Sequence, residues 1–280
     1  MLCFVIPVAV SVIHLSVVIQ HRRRLSRGLV VSLVLNTVVP LMAGILQMFA
    51  YGLSLINISV VGMSVLLYVF ALLDLEEKLE TAHEQEHALF VETATALVNA
   101  IEKKDTYTRG HSRRVAVYSM MIAREAGKSA KECDEIYYAG LLHDVGKIGV
   151  AGSIINKNGR LTDEEFGEIK KHPAYGEEIL RDIEHPYLRA GAQYHHERYD
   201  GKGYPTGLSG KELPEVARII AVADSYDAMT SKRSYRDPLP QQKVREEIVK
   251  GIGTQFDPEF AEIMVGLIDR DVHYSMRESN

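Results

Sequence analysis

The chain has 280 residues, 46% of them hydrophobic, and a net charge of −5, but residues 1–73 contain four arginines and no acid, which leaves −9 on the remainder. Such a composition excludes a disordered chain, and two cysteines, Cys3 in an apolar run and Cys133 in the polar part, exclude a disulfide framework. The acidic polar part would repel a phosphate backbone, which excludes a nucleic-acid polymer as partner.

Three apolar runs, Leu2 to Ile19, Leu29 to Met48 and Leu55 to Leu73, come first. Each approaches the roughly 20 residues that cross a hydrocarbon core as a helix, and together they predict three transmembrane helices within residues 1–73 (about 2–19, 29–48 and 55–73). His21, Arg22, Arg23, Arg24 and Arg27 lie between the first two runs, and the excess of basic residues on cytoplasmic loops places that loop inside. Parity then puts the amino terminus and the turn Gly52 to Ser54 outside and everything after Leu73 in the cytoplasm, making a multi-pass protein of the cell membrane. A secretory signal carries its positive charges ahead of the apolar stretch, not behind it. His14, Asn36 and Asn57 predict hydrogen bonds between the spans, and Pro7 and Pro40 predict bends without breaks.

From Asp74 to Lys104 there is no Gly or Pro and helix formers dominate, so residues 74–104 predict one long connecting helix. Phe90, Ala94, Leu97, Val98 and Ile101 recur at three-to-four spacing, with Leu75, Leu79 and Ala82 continuing a sparser seam, the pattern of a signalling coil in a homodimer. His83 and His87 stand among Glu84 and Glu86 and read as a solvated face.

A polar domain over residues 88–280 follows. The stretches Arg114 to Ala126, Ala130 to Leu142, Thr162 to Lys171, Gly176 to Asp182, Tyr187 to His195, Ala217 to Met229, Gln241 to Gly251 and Glu259 to Leu267 predict helices and few strands compete, so the fold class is all-α, a helical bundle whose facing helices project side chains inward. Its histidines have particular neighbours: His111 in GHSRRV, His143 and Asp144 in LLHDVGKIGV, His172 in HPAYG, His195 and His196 in HHERYDGKGYP, with Asp224 in IIAVADSYDAM. Imidazole nitrogens and carboxylate oxygens are ligands for iron, manganese or zinc, and there are enough for two ions. His143 and Asp144, at the end of an apolar helix, bring a nitrogen and a carboxylate able to bridge to one point.

In this order the motifs resemble the HD-GYP family of the HD phosphohydrolase superfamily, over about Phe90 to Ile268. The triplet Gly203, Tyr204 and Pro205 is preceded by His195, His196 and Glu197 and by Asp200 and Gly201, and followed by ARIIAVADSYDAMTSKRSYR and GTQFDPEF. The resemblance implies an HD-type phosphohydrolase domain whose metal ligands are His111, His143, Asp144, His172, His195, His196 and Asp224, with Asp144 bridging two divalent ions, iron or manganese. It implies Lys147 beside the scissile phosphate, a substrate loop of Gly203, Tyr204 and Pro205, and Arg233 and Arg236 holding phosphates. The implied activity is hydrolysis of cyclic di-GMP to pGpG, in some members onward to GMP, with a diguanylate cyclase as a plausible partner.

One departure concerns stoichiometry: family members with three metals carry a glutamate four residues before the first histidine, and here that position is Tyr107, which favours a dinuclear site. Two metals roughly 3.5–4 Å apart activate a bridging water and stabilise attacking and leaving oxygens, so no nucleophilic side chain is required. Glu197 and Asp200 read as carboxylates that orient the imidazoles, whereas His185 and His273 read as packing or surface residues. Two other readings stand beside this one. Nothing in the ligand set reads guanine, which leaves another cyclic dinucleotide as substrate, and a catalytically silent receptor for the dinucleotide or a partner is the alternative that an intact ligand set argues against.

Overall fold

The computed structural model describes residues 2–21, 25, 27–47, 55–105, 110–157, 159–232 and 237–276. Among these, every regular element is helical, in agreement with the all-α expectation. The chain divides into two compact units, Met1–Phe90 and Val91–Asn280.

The first unit contains α1 (Leu2–His21), α2 (Arg27–Gln47) and the beginning of α3 (Leu55–Lys104). α1 packs against α2, and α2 continues through Pro40. Apolar side chains such as Val31, Met42, Val61, Val65 and Leu73 face outward. Two stretches, Arg27–Leu46 and Asn57–Lys104, are long and apolar enough to cross a membrane. Asn36 is half-buried and Asn57 exposed, while the side chain of His14 lies outside the described set. No break separates the third apolar run from the connecting segment, because no proline lies between Leu55 and Lys104 and the one glycine, Gly62, is tolerated in a helix interior.

In the second unit α4 (His111–Glu125), α5 (Ala130–Leu142), α6 (Gly152–Ile155), α7 (Asp163–Ile169), α8 (His172–Ile179), α9 (Pro186–Tyr194), α10 (Glu215–Thr230), α11 (Gln241–Gly251) and α12 (Pro258–Arg270) follow. Local chemistry sets their ends. Ser129 with Glu132 and Thr162 with Glu165 form reciprocal capping boxes at α5 and α7, which satisfy amides that have no partner inside the helix. α8 begins at His172, four residues before the expected start, because Pro173 lies in the first turn, where a missing N–H costs nothing.

α10 is the central helix, packed on α4, α5, α9, α11 and α12. Its Ile219, Ile220, Val222, Ala223 and Tyr226 have no exposed surface, and each of the larger aliphatic side chains contributes about 1.5–3 kcal/mol by leaving water. The GTQFDPEF segment has a structural role: Asp257 caps α12 by accepting from the Glu259 amide, and pairs with the buried Arg218, whose Nε donates to the Leu213 carbonyl. Ala94, Val98 and Ile101 are buried, so that half of the expected seam is spent within the chain, whereas Leu75, Leu79 and Leu89 are exposed.

Candidate metal centre

Four histidines are held by the same device. Nδ1 of His143 donates to the Gly140 carbonyl at 2.7 Å, that of His172 to Ile169 at 2.7 Å, and that of His195 to Gly191 and Ala192 at 3.0 Å. Nδ1 of His111 donates to Oδ2 of Asp227 at 2.7 Å. Each partner only accepts, so a hydrogen sits on Nδ1 and it is Nε2 that faces inward, the orientation a metal ligand needs.

His143 caps the end of α5, and Asp144 opens the 3-10 turn Val145–Gly149. This reversal sends the Asp144 carboxylate between two sets of imidazoles. Its Oδ2 lies 3.4 Å from Nε2 of His143 and 3.6 Å from Nε2 of His111, while its Oδ1 lies 3.3 Å from His172 and 3.8 Å from His195. Asp224 reaches Nε2 of His111 at 3.4 Å, and the His196 ring lies 4.2 Å from that of His195. Two ligand groups result, His111 with His143 and Asp144, and Asp144 with His172, His195 and His196. Six of the seven expected ligands fall into these two groups, and Asp224 stands beside them through His111.

The donor chemistry fits metal. Nε2 of His172 and of His195 stand 3.2 Å apart with both Nδ1 hydrogens already committed. Two lone pairs so placed repel unless a cation lies between them, and nitrogens about 2.0–2.1 Å from one ion stand about 3 Å from each other. Burial, reinforced by neighbouring imidazoles, lowers the pKa of His195 and His172 and takes His196 down to about 4, so all three are neutral at pH 7. At His111 burial opposes charge, but Asp144, Asp227 and Asp224 outweigh it and raise the pKa to about 9, so at neutral pH Nε2 carries a proton that a metal cation would displace. Burial also works against the Asp144 charge, yet Lys147, His143 and His111 hold its carboxyl well below the usual range.

Close packing of backbone sets this geometry. A Cβ on Gly146 would lie 1.9 Å from the His172 carbonyl oxygen and 2.4 Å from the Gly176 nitrogen, which are backbone atoms that cannot swing aside. Gly146→Ala is therefore expected to push α8 away and withdraw His172, lowering the metal bound per chain below that of wild type while helical circular dichroism stays near wild type; metal analysis of purified protein checks it.

The loop after α9 carries the triplet. A Cβ at Gly203 would sit 2.4 Å from the Arg198 nitrogen, so only glycine lets the loop close on its own base. Tyr204 stacks on His196 at 4.9 Å, and its amide donates to the His196 carbonyl. Burial, together with Asp144 and Asp224, raises the Tyr204 pKa, which keeps the phenol protonated. Pro205 follows and is exposed.

The expectation for Glu197 and Asp200 needs correction. Buried Glu197 accepts from the Thr206 amide (2.6 Å) and hydroxyl (2.7 Å) and from the Gly207 amide (3.0 Å), and Asp200 pairs with Arg198 at 2.9 Å. Both carboxylates fasten the loop, whose own amides, hydroxyl and guanidinium take up their oxygens. His185 and His273 lie apart from the two ligand groups. Arg233, Arg236 and Tyr107 lie outside the described residues.

Sequence reasoning missed two carboxylates. Asp227, fully buried, holds His111 and is itself gripped by Arg114 Nε at 2.6 Å; its position three residues after Asp224, on the same face of α10, was the available signal. Glu102 accepts from the amides of Gly110 (2.8 Å) and Ser112 (3.3 Å) and so fixes the start of α4 on which His111 sits.

An HD domain family model matches residues 95–260. A cyclic di-GMP phosphodiesterase of Thermotoga maritima is 43% identical over 169 residues, covering 59% of this chain and 46% of that protein. A 3'3'-cGAMP-specific phosphodiesterase of Vibrio cholerae is 39% identical over 172 residues, 60% of this chain and 33% of that protein. The chain thus spans less than half the length of these two relatives. A solved cyclic GMP-AMP-specific phosphodiesterase of Vibrio cholerae superposes with a TM-score of 0.51 at 16% identity, over 66% of this chain and 51% of that one, which shows a shared fold.

Proposed function

This chain belongs to the HD domain family, in its HD-GYP branch, and on that premise we propose that it is a membrane-anchored, metal-dependent phosphodiesterase that hydrolyses cyclic di-GMP. The observation that carries the reading is the Asp144 carboxylate, whose two oxygens face two separate groups of imidazoles. His111, His143, Asp144 and Asp224 would hold one divalent ion, and Asp144, His172, His195 and His196 the other, iron or manganese by the mixture of nitrogen and oxygen donors. Such ions supply an activated water and neutralise charge on a phosphodiester as it is cleaved.

The chain's own residues do the rest. Lys147, whose ammonium lies 2.7 Å from Asp144, is kept charged by Asp144 and Asp105 against the effect of burial, and neutralises a phosphoryl oxygen beside the centre. Gly203, Tyr204 and Pro205 bring the loop up to the substrate, with Tyr204 stacked on His196. Arg233 and Arg236 are assigned the outer phosphates on sequence grounds.

The apolar helices of the first unit anchor the chain, and the arginines after α1 keep the second unit in the cytoplasm. Exposed Leu75, Leu79 and Leu89, with Ala82, follow a heptad spacing that supports a homodimer; a diguanylate cyclase is the partner whose product this activity would remove. Relatives named for cyclic di-GMP and for cGAMP both resemble the chain, so the base preference is tested directly.

The full chain in detergent, loaded with iron or manganese without oxygen, is given both dinucleotides in competition. Preferential conversion of cyclic di-GMP to pGpG or GMP, abolished by a chelator and restored by metal, is expected. Preference for cGAMP would replace the substrate, and binding without conversion under every metal would replace the enzyme with a receptor.

A further inference from the structure

We propose that Asp105 is a positioning residue that keeps the Lys147 ammonium at the metal centre, an inference resting on the role of Lys147 given above. Asp105 directly follows the last residue of α3, is 5% exposed, and its amide continues the helical ladder by donating to the Ile101 carbonyl at 2.9 Å. Its Oδ2 receives the Lys147 ammonium at 3.2 Å, opposite Asp144 at 2.7 Å. The neighbouring backbone is clamped as well. Lys104 Nζ donates to the Ile148 carbonyl at 2.6 Å, and Asn156 Nδ2 ties the Lys104 carbonyl to α6, donating to it at 2.7 Å and to the Gly152 carbonyl at 3.0 Å. The end of α3 thus grips the 3-10 turn at its main chain and at its one ammonium.

A second carboxylate is needed because Asp144 belongs to both ligand groups while Asp105 belongs to neither. Two divalent ions would draw on both oxygens of Asp144 and repel the ammonium beside it. Lys147 has a flexible four-carbon stem, and with Asp144 as sole partner it would turn toward solvent. Asp105 keeps its attraction whether or not Asp144 is committed. The last turn of α3 is on this account part of the catalytic apparatus.

The test uses the metal-loaded full chain in detergent with Asp105→Asn, Asp105→Glu and the wild type. Acylation of Lys147 by an N-hydroxysuccinimide ester is followed by peptide mass spectrometry against Lys131, whose side chain is 87% exposed, as internal standard. The expected result is a severalfold faster acylation of Lys147 in Asp105→Asn, metal content per chain unchanged, kcat lower by about tenfold or more and KM within about twofold. Asp105→Glu, which restores the charge, is expected to recover most of the protection and of kcat. Unchanged acylation of Lys147 in Asp105→Asn overturns the proposal, as does a loss of kcat that merely tracks a loss of metal. Should the wild type turn over neither dinucleotide, the phosphodiesterase reading falls while the acylation ratio still decides what Asp105 does.

Discussion

Asp144→Ala is expected to empty both halves of the centre at once. Every other expected ligand serves one group, so His172→Ala removes a donor only from the set around His195 and His196 and should leave one ion per chain. Asp144 has one oxygen in each set, and alanine offers neither. The loss is compounded electrostatically, because Lys147 would remain beside the imidazoles with one carboxylate fewer to balance it. Turnover should fall by at least roughly a thousandfold, equivalent to about 4 kcal/mol of lost transition-state stabilisation. The fold should survive, since α5 ends one residue before His143 and its buried face is Ile136, Ala139, Leu141 and Leu142. Metal analysis and turnover of the full chain decide the matter, and a variant that retained two ions would dissolve the idea of a shared carboxylate.

The residues that meet at the centre were legible in the sequence because each stands in a local signature whose order along the chain is distinctive, even though 113 positions separate His111 from Asp224. Helix ends were legible where side chains make them, as at Ser129 and Thr162. The groups that aim the imidazoles were not. Gly140, Ile169, Gly191 and Ala192 act through their carbonyls, and every residue has a carbonyl, so no residue type marks them. Glu197 shows the converse: a carboxylate next to two histidines suggests an imidazole partner, but three donors on its own loop lie within reach. Periodicity failed in its own way at Ala94, Val98 and Ile101. A three-to-four repeat states that one face is covered and is silent about whether a second copy or the same chain covers it.

Asp227→Asn is expected to weaken the centre and the fold together, with a pH signature that separates charge from shape. The wild-type carboxylate is fully buried; burial alone would raise its pKa, but His111 and Arg114 outweigh it and bring it from 3.8 down to about 2. A folded pKa below the unfolded value means stability that is present above about pH 4 and is lost as the pH falls toward 2, amounting to roughly 2–3 kcal/mol for a shift of this size. Asparagine keeps the outline and an acceptor oxygen but carries no charge to titrate. The metal-free variant should therefore be less stable than wild type by that amount at pH 7, and the gap should close between about pH 4 and pH 2 as the wild type takes up its proton. At neutral pH the variant also no longer enforces the hydrogen on Nδ1 of His111, because an amide can turn its donor toward the ring, and metal affinity should drop about 10–100-fold. Denaturant titrations across pH and metal competition at pH 7 measure the two effects. A stability gap that stays constant from pH 7 to pH 2 would place the contribution of Asp227 in its shape, and an unaltered affinity would mean that Arg114 and packing hold His111 without it.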